Sequence, residues 1–388
     1  MTTTKKGMPI LPVEAYTSQE WFDKEQELIF GNTWQFAGLM EDVKEPGDYV
    51  TVQCGNQNIV VVKGRDQRLR AFHNLCRHRG TQLLRAVGKK QKALTCPYHD
   101  WTYDLTGQLI SVPEKEKEFP DLELDKICLH KASVDIWRGM LWVHPKPDAM
   151  PINEWFKGCE EHLGPHDPTR LVEYPDTYYE KVIHANWKIV AENYIDVYHL
   201  AHLHSNTLHM YDHAKAKFGF VGDHYLFWEP LTKDYMDNLE DLLPAKRIEE
   251  MTDEYIGAYV PWLFPNLGLA EGESSWSFFY TIPLAPDKTK VIVRTKMEPM
   301  TDWEFYKQNK RFESAWMRVM EKGTKYEPTD DDDPMTSGDF MAEDIFACEQ
   351  QQKSLSNPLF SVVATAQHGE STVRTFQSIV QRWMESKS

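Results

Sequence analysis

The sequence predicts an α+β protein in two parts, an antiparallel β unit followed by a larger part in which helices accompany a second antiparallel sheet. Three observations lead there. Between residues 34 and 74, four short stretches rich in β-branched and aromatic residues alternate with polar turns. Residues 186–204 and 338–351 instead repeat apolar residues at i, i+3, i+4 and i+7, the period of a helix. Ser275 to Ile282 and Lys290 to Met297 return to strand-like composition. At 388 residues the chain is too long for a single small core.

Taken in order, residues 16–31 predict a helix. Thr17 or Ser18 can cap it, Glu20 stands in the capping-box position for Thr17, and Gly31 can end it. Strands are expected over Trp34 to Leu39, Tyr49 to Gln53, Asn58 to Lys63 and Leu69 to Asn74. Asp104 to Leu109 reads as a hairpin with Gly107 at its turn, and Val134 to Val143 as one further strand. Pro145 to Asp148 reads as a boundary, which gives a lead-in over 1–33, a β domain over 34–148 and a second domain over 149–388.

Composition narrows the function classes. With 41% hydrophobic and 26% charged residues the chain is globular, and no apolar run is long enough to span a bilayer. Met1 to Gly7 has no apolar signal core behind it, and six cysteines in so long a chain form no secretory framework, so a cytoplasmic protein is expected. A net charge of −16 argues against nucleic acid as a partner. The run Asp330 to Asp333 reads as a solvated loop.

Two loops carry metal-binding residue types: Cys76-Arg77-His78-Arg79-Gly80 and Cys96-Pro97-Tyr98-His99-Asp100-Trp101. A structural zinc site is the competing reading, but zinc motifs usually pair Cys with Cys and His with His. Here each loop offers one Cys and one His, which suits a Rieske [2Fe–2S] cluster held by two cysteines on one iron and two histidines on the other. The remaining cysteines read as small buried residues.

A second constellation lies in residues 186–204, where Asp196, His199 and His204 interrupt an apolar pattern. Asp196 and His199, three apart, sit side by side on a helix. His199 and His204 are five apart and point away from each other on an ideal helix. If both grip one metal, the helix must end or distort between them. Further on, residues 338–351 predict a helix capped near Thr336 or Ser337, with Met341, Asp344, Ile345 and Cys348 on one face. Asp344 is the polar exception on that face, where a carboxylate needs a partner such as a metal. Asp339 and Glu343 fall off the face and read as solvated.

These motifs, in this order, resemble the terminal oxygenase component (alpha subunit) of the Rieske non-heme iron oxygenases, the aromatic ring-hydroxylating family. The matching residues are Cys76-x-His78, Cys96-x-x-His99 and Asn186-Trp187-Lys188 with Glu192-Asn193, Asp196, His199 and His204, and the similarity covers nearly the whole chain. Thr81 and Tyr98 stand where respiratory-chain Rieske proteins carry an extra disulfide pair, so the resemblance is to the oxygenase type. It implies a Rieske domain followed by a helix-grip catalytic domain, closed by a helix near Thr372 to Met384. It also implies a mononuclear Fe(II) held by His199, His204 and a late carboxylate. Glu343-Asp344, followed by Glu349 and Gln351, is similar to the family's late ligand helix and points to Asp344, with Asp339 and Glu343 as weaker alternatives. Asn193 matches a position close to the iron, and a buried helix-to-helix hydrogen bond would explain it as well. His184, His202 and His209 are unmatched and expected to be structural.

The resemblance implies a homotrimer, with or without a separate beta subunit, in which Asp196 bridges His199 to His99 of a neighbouring subunit. Electrons would come from NAD(P)H through a flavin reductase, a ferredoxin or both. The implied reaction is hydroxylation of an aromatic substrate with O2, by mono- or dioxygenation. One alternative within the family is oxidative N- or O-demethylation of a quaternary ammonium or methoxy compound. Demethylases of that type often carry Glu where Asp196 stands. An alternative of another class is a non-catalytic Rieske electron carrier. The aromatics between Phe218 and Phe279, among them Phe220, Trp228, Tyr259 and Trp262, are candidates for the substrate pocket.

Overall fold

The strand pattern of residues 34–74 folds as read, into four strands of a seven-stranded antiparallel sheet. In the computed structural model, which describes residues 9–205, 207–243, 245–320, 329 and 332–386, the chain forms two compact units. One is Asp23–Trp155; the other joins the residues up to Phe22 to those from Phe156 onward. The start of the lead-in, residues 1–8, and Asp330-Asp331 of the acidic run lie outside the described residues.

The first unit is built from β1 (Gln35–Leu39), β2 (Tyr49–Cys54), β3 (Gln57–Lys63), β4 (Leu69–His73), β5 (Val87–Gly88), β9 (Lys131–Trp137) and β10 (Met140–His144), in the order β1-β10-β9-β4-β3-β2-β5. A second sheet of β6 (Leu94–Thr95), β7 (Thr102–Tyr103) and β8 (Leu109–Ser111) joins it. The uninterrupted apolar run Ile59 to Val62 is explained by burial on both faces of β3. Ile59 and Val61 enter a core with Val50, Val52 and Leu141. Val60 and Val62 enter a core with Phe72, Cys76, Cys96, Trp101 and Tyr103, so the two cysteine loops close over that face.

Two expectations are corrected. Val134 to Val143 is not one strand but the hairpin β9–β10, turned at Arg138 and Gly139 with φ of 50° and 72°. Two successive positive φ values are what a tight hairpin turn of matching twist requires, and Gly139 adopts one without penalty. The helix over 16–31 is likewise interrupted. Glu14–Thr17 ends at extended Ser18, whose Oγ accepts the Trp21 N–H at 3.3 Å and so starts Gln19–Glu25. The chain then widens into a π turn, Gln26–Phe30, ended at Gly31.

The second unit holds an eight-stranded antiparallel sheet of β11 (Val172–Ile183), β12 (Lys217–Val221), β13 (His224–Glu229), β14 (Ala258–Tyr259), β15 (Trp262–Leu263), β16 (Leu267–Glu271), β17 (Trp276–Ala285) and β18 (Lys288–Met297). The two strands expected at 275–282 and 290–297 are β17 and β18, paired along their length. The Trp187–Ile195 helix packs against β15 and β17 on one side and against the Phe340–Leu355 and Ser371–Glu385 helices on the other. It is therefore buried nearly all round rather than along one apolar stripe. Lys188 and Glu192 are buried along with Trp187 and Ile189, while Tyr198, just beyond the helix, is exposed. Among the described residues no helix is long and apolar enough to cross a membrane.

Candidate metal centres

The two cysteine loops of the first unit share one backbone design. In the first, Gly80 N–H donates to Cys76 O and Cys76 N–H to Thr81 O; in the second, Asp100 N–H donates to Cys96 O and Cys96 N–H to Trp101 O. Gly80 and Asp100 occupy the same slot, both with positive φ. Each loop thus presents a buried Cys at its base and a half-buried His further along. The His78 and His99 rings lie 4.7 Å apart, and His78 stacks on Trp101 at 4.8 Å.

The donor set fits a [2Fe–2S] cluster. Nδ1 of His78 is buried and makes no hydrogen bond. Burial, with help from His99 and Arg79, lowers the His78 pKa, which favours the neutral, metal-ligating form. Burial pushes the Cys76 thiol up, against the hydrogen bond from Tyr103, and the adjacent Cys96 adds to the rise. Two neighbouring thiolates in this core therefore need cationic partners. Sequence reasoning missed Tyr103. It is fully buried, its hydroxyl lies 3.4 Å from Cys76 Sγ, and it accepts the Arg77 N–H at 2.9 Å. The signal was its inward register on β7, next to the second loop.

In the second unit, the Trp187–Ile195 helix is capped by Asn186, whose Oδ1 accepts Lys188 N–H at 3.0 Å and Lys188 Nζ at 2.8 Å. It stops at Asp196, which is extended. A separate short helix, Leu200–Leu203, follows, with His199 at its N-cap and His204 at its C-cap. That break brings the His199 and His204 rings to 5.0 Å. Asp344, from the Phe340–Leu355 helix, completes the group. Its Oδ1 is 3.6 Å from His199 Nε2 and 3.0 Å from His204 Nε2, and the three ligand atoms lie within 4.8 Å of one another. Two imidazoles and one carboxylate around a common point fit the facial triad of a non-heme Fe(II). His184 and His202 are exposed, and neither they nor His209 joins the group.

The surrounding side chains are specific. Asn193 Nδ2 donates to Asp344 Oδ1 at 2.9 Å, a hydrogen bond between two helices that also orients the Asp344 carboxylate. Asp196 Oδ1 accepts the Tyr198 N–H at 2.8 Å, and its Oδ2 lies 3.4 Å from the buried His199 Nδ1. Asp339 is not a ligand: it caps the Phe340–Leu355 helix, accepting Met341 N–H, in place of Thr336 or Ser337. Glu343 is not solvated either. It is 3% exposed, and its Oε2 meets His204 Nδ1 at 2.7 Å and Thr207 Oγ1 at 2.8 Å. Burial works against the His204 imidazolium, but Asp344 and Glu343 more than offset it and push the group up to about 9.

A cavity of about 210 Å³ opens beside Asp344 and Asn193. Tyr179, Tyr194, Phe278, Phe279, Phe340 and Met341 form much of its wall, Ser277 and Thr295 add hydroxyls, and Asp344 is the one charged side chain lining it among the described residues. Of the aromatics expected in a pocket, Phe278 and Phe279 are here. Phe218, Phe220, Phe227, Trp228 and Tyr259 line a different cavity of about 580 Å³. Trp262, Phe264 and Trp276 are plain core.

This arrangement defines an iron–sulfur unit followed by a two-histidine, one-carboxylate metal unit, and the family profiles agree. The profile of the Rieske [2Fe-2S] domain matches residues 33–134, and that of the ring hydroxylating alpha subunit (catalytic domain) matches residues 137–386. The chain belongs to the ring-hydroxylating alpha-subunit family, whose members are Rieske non-heme iron oxygenases.

Among its relatives are the chlorobenzene dioxygenase subunit alpha of Cupriavidus sp. (strain PS12), 34% identical over 48% of this chain and 42% of that one, and the glycine betaine monooxygenase oxygenase subunit of Chromohalobacter salexigens, 33% identical over 54% and 46%. The carnitine monooxygenase oxygenase subunit of Escherichia coli (strain K12) is 27% identical over 72% of both chains. The matches to the first two span just under half the length of those relatives. In fold, the chain is similar to the quaternary ammonium Rieske monooxygenase CntA in complex with L-carnitine (TM-score 0.70, 20% identity, 98% of this chain and 96% of that one). It is equally similar to naphthalene 1,2-dioxygenase from Rhodococcus sp. bound to indole (TM-score 0.72, 19%, 97% and 95%).

Proposed function

We propose that this chain is the oxygenase component of a cytoplasmic, homotrimeric Rieske system that hydroxylates a small aromatic substrate with O2. Its electrons come from NAD(P)H through a flavin reductase, a ferredoxin or both, and a separate beta subunit is not required by the reading. The observation that carries this is the convergence of His199, His204 and Asp344 at the wall of an apolar cavity. Cys76, His78, Cys96 and His99 would hold the cluster, and His199, His204 and Asp344 the Fe(II). When bound, the cluster supplies single electrons and the Fe(II) supplies O2 activation beside the substrate.

The chain's own residues do the rest. Asn193 fixes Asp344 by its amide donor, so the carboxylate faces the histidines. Phe279 and Tyr194, stacked at 5.6 Å, present flat apolar surface against which a ring can stack, and they exclude bulk water from the reacting edge. Asp196 is placed to accept the Nδ1–H of His199. In the trimer its carboxylate, still partly open to solvent, would also take the outer N–H of a neighbour's His99, which joins the two metal sites through one side chain.

The choice of an aromatic substrate follows from the lining. A carboxylated trimethylammonium compound needs a cationic partner for its carboxylate, and no Arg or Lys lines this cavity among the described residues. The demethylase reading keeps one supporting observation, the aromatic walls with Asp344 nearby, which could cradle a quaternary ammonium group. The test is anaerobic reconstitution with iron and sulfide analysis, then O2 uptake and product mass with monocyclic arenes and with trimethylammonium compounds. About three irons and about two acid-labile sulfides per chain are expected, with arenes gaining oxygen. Formaldehyde release from the ammonium compounds would turn the reading to demethylation. Irons for the cluster alone would leave an electron carrier.

A further inference from the structure

We propose that Glu343 is a positioning residue for the mononuclear iron: it holds His204 in the tautomer whose Nε2 lone pair faces the metal. This rests on reading His199, His204 and Asp344 as the iron site. Glu343 and Asp344 are consecutive on the Phe340–Leu355 helix, so their side chains leave it about 100° apart. They reach opposite edges of one imidazole. Asp344 Oδ1 lies 3.0 Å from His204 Nε2, and Glu343 Oε2 lies 2.7 Å from His204 Nδ1.

The direction of the Glu343 contact follows from the atoms. An ionised carboxylate has no proton to donate, so the nitrogen facing it must carry one. Nδ1 is therefore N–H, and in the neutral ring Nε2 is left with its lone pair, aimed at the side where Asp344 and His199 lie. Because Glu343 sits on the far edge, it cannot serve as a ligand while His204 binds through Nε2.

Burial makes the device firm. Glu343 and His204 are 3% and 1% exposed, and a carboxylate that buried is costly unless hydrogen-bonded. Glu343 Oε2 has two donors, His204 Nδ1–H and the Thr207 hydroxyl. Thr207 lies on the turn that follows His204, with its own N–H bonded to His204 O at 3.1 Å, so the hydroxyl and the imidazole reach Glu343 from neighbouring places in the chain. His199 has no such clamp, since its Nδ1 makes no hydrogen bond and sees only the longer Asp196 contact. The two histidines are thus held unequally, with His204 fixed from within the subunit.

The test uses the full chain with its cluster assembled, the cluster spectrum serving as an internal standard. Fe(II) affinity of the second site is measured by chelator competition, and site geometry by the visible spectrum of bound Co(II). Glu343→Met, which keeps length and loses the acceptor, is expected to weaken Fe(II) binding about 10–100-fold. Glu343→Gln keeps an acceptor oxygen and should recover part of that loss with a near wild-type Co(II) spectrum. Thr207→Val leaves the carboxylate and the histidine in place and removes one donor, so its effect should be smaller but in the same direction. It also tests the proposal should Glu343→Met fail to fold.

Wild-type affinity in both Glu343→Met and Thr207→Val would overturn the role of Glu343. So would equal loss in Glu343→Met and Glu343→Gln, because an acceptor at that place would then do nothing. Failure of the underlying reading looks different: the wild type would bind no Fe(II) beyond the cluster, or His204→Ala would bind it unchanged.

Discussion

Replacing Glu192 with Gln should remove a pH-dependent weakness from the helix that leads into His199 and His204. Glu192 is deeply buried. Tyr16 OH donates to its Oε1 at 2.6 Å, and the Gln377 amide, from the C-terminal helix, donates to the same oxygen at 3.2 Å. Burial pushes the carboxyl from its ordinary 4.5 to about 7, and Asp196 adds to the rise, while Tyr16, Gln377 and Lys188 only partly oppose it. The folded state therefore keeps a proton that the unfolded chain releases, and stability falls as pH climbs from about 4.5 to about 7, then levels off. The gap of about 2.5 pH units, at about 1.4 kcal/mol each, is about 3.5 kcal/mol. Glu192→Gln stays neutral, keeps an oxygen for Tyr16 and should escape that loss. Melting followed by circular dichroism from pH 5 to pH 8.5 is the assay. The variant should gain on the wild type by about 7–14 °C toward pH 8, for a unit of this size. Parallel melting curves for the two proteins across that range would refute the buried, proton-holding Glu192.

Three further outcomes are expected. His204→Ala and Asp344→Ala should each lose the mononuclear iron and turnover while the cluster's visible and paramagnetic spectra stay as in the wild type. Metal analysis beside those spectra checks this, and full iron in Asp344→Ala would disqualify it as a ligand. Asp196→Asn should keep both metal sites but slow reoxidation of the reduced cluster by about two or more orders of magnitude in a single turnover with O2 and substrate, because Asn cannot accept from two imidazoles with a charged group. Tyr103→Phe should keep the cluster and lower its reduction potential, read by redox titration, since it removes the donor beside Cys76 Sγ that favours the electron-rich state. An unchanged potential would show that the hydroxyl serves only Arg77.

What the sequence revealed depended on how local each feature was. The cluster loops were legible because each brings its Cys and His within a few residues, and the chemistry of that pairing is distinctive. Asp344 was legible as a carboxylate on an otherwise apolar face. Glu343 was not, because the face beside it is filled by His204 and Thr207 from far earlier in the chain, and helix periodicity alone reads such a position as solvent. The β9–β10 hairpin was lost because Arg138 adopts a positive φ that non-glycine residues seldom take. The pocket was misplaced for a similar reason. Aromatics on β12 and β13 line the larger cavity, whereas β17 turns Phe279 toward Tyr194 in the wall beside Asp344, and composition does not tell strands apart.

The spacing of His199 and His204 ties the local and the distant together. On an unbroken helix, residues five apart point about 140° from each other, and no single ion could take both rings. The sequence supplies no Gly or Pro at the break. Instead Asp196 leaves the helical region, and its Oδ1 takes the Tyr198 N–H freed by the unwinding, which stabilises the new direction as an Asx turn. The same side chain then turns its other oxygen to His199. Asp196 thus shapes the backbone that brings the two rings together despite this spacing and also meets one of them, His199. Asn can form the same turn through its carbonyl oxygen. A substitution to Asn therefore separates the two tasks, sparing the fold of residues 196–199 while removing the charge beside His199. A substitution to Ala would confound them, because the freed N–H and the altered turn would move His199 itself.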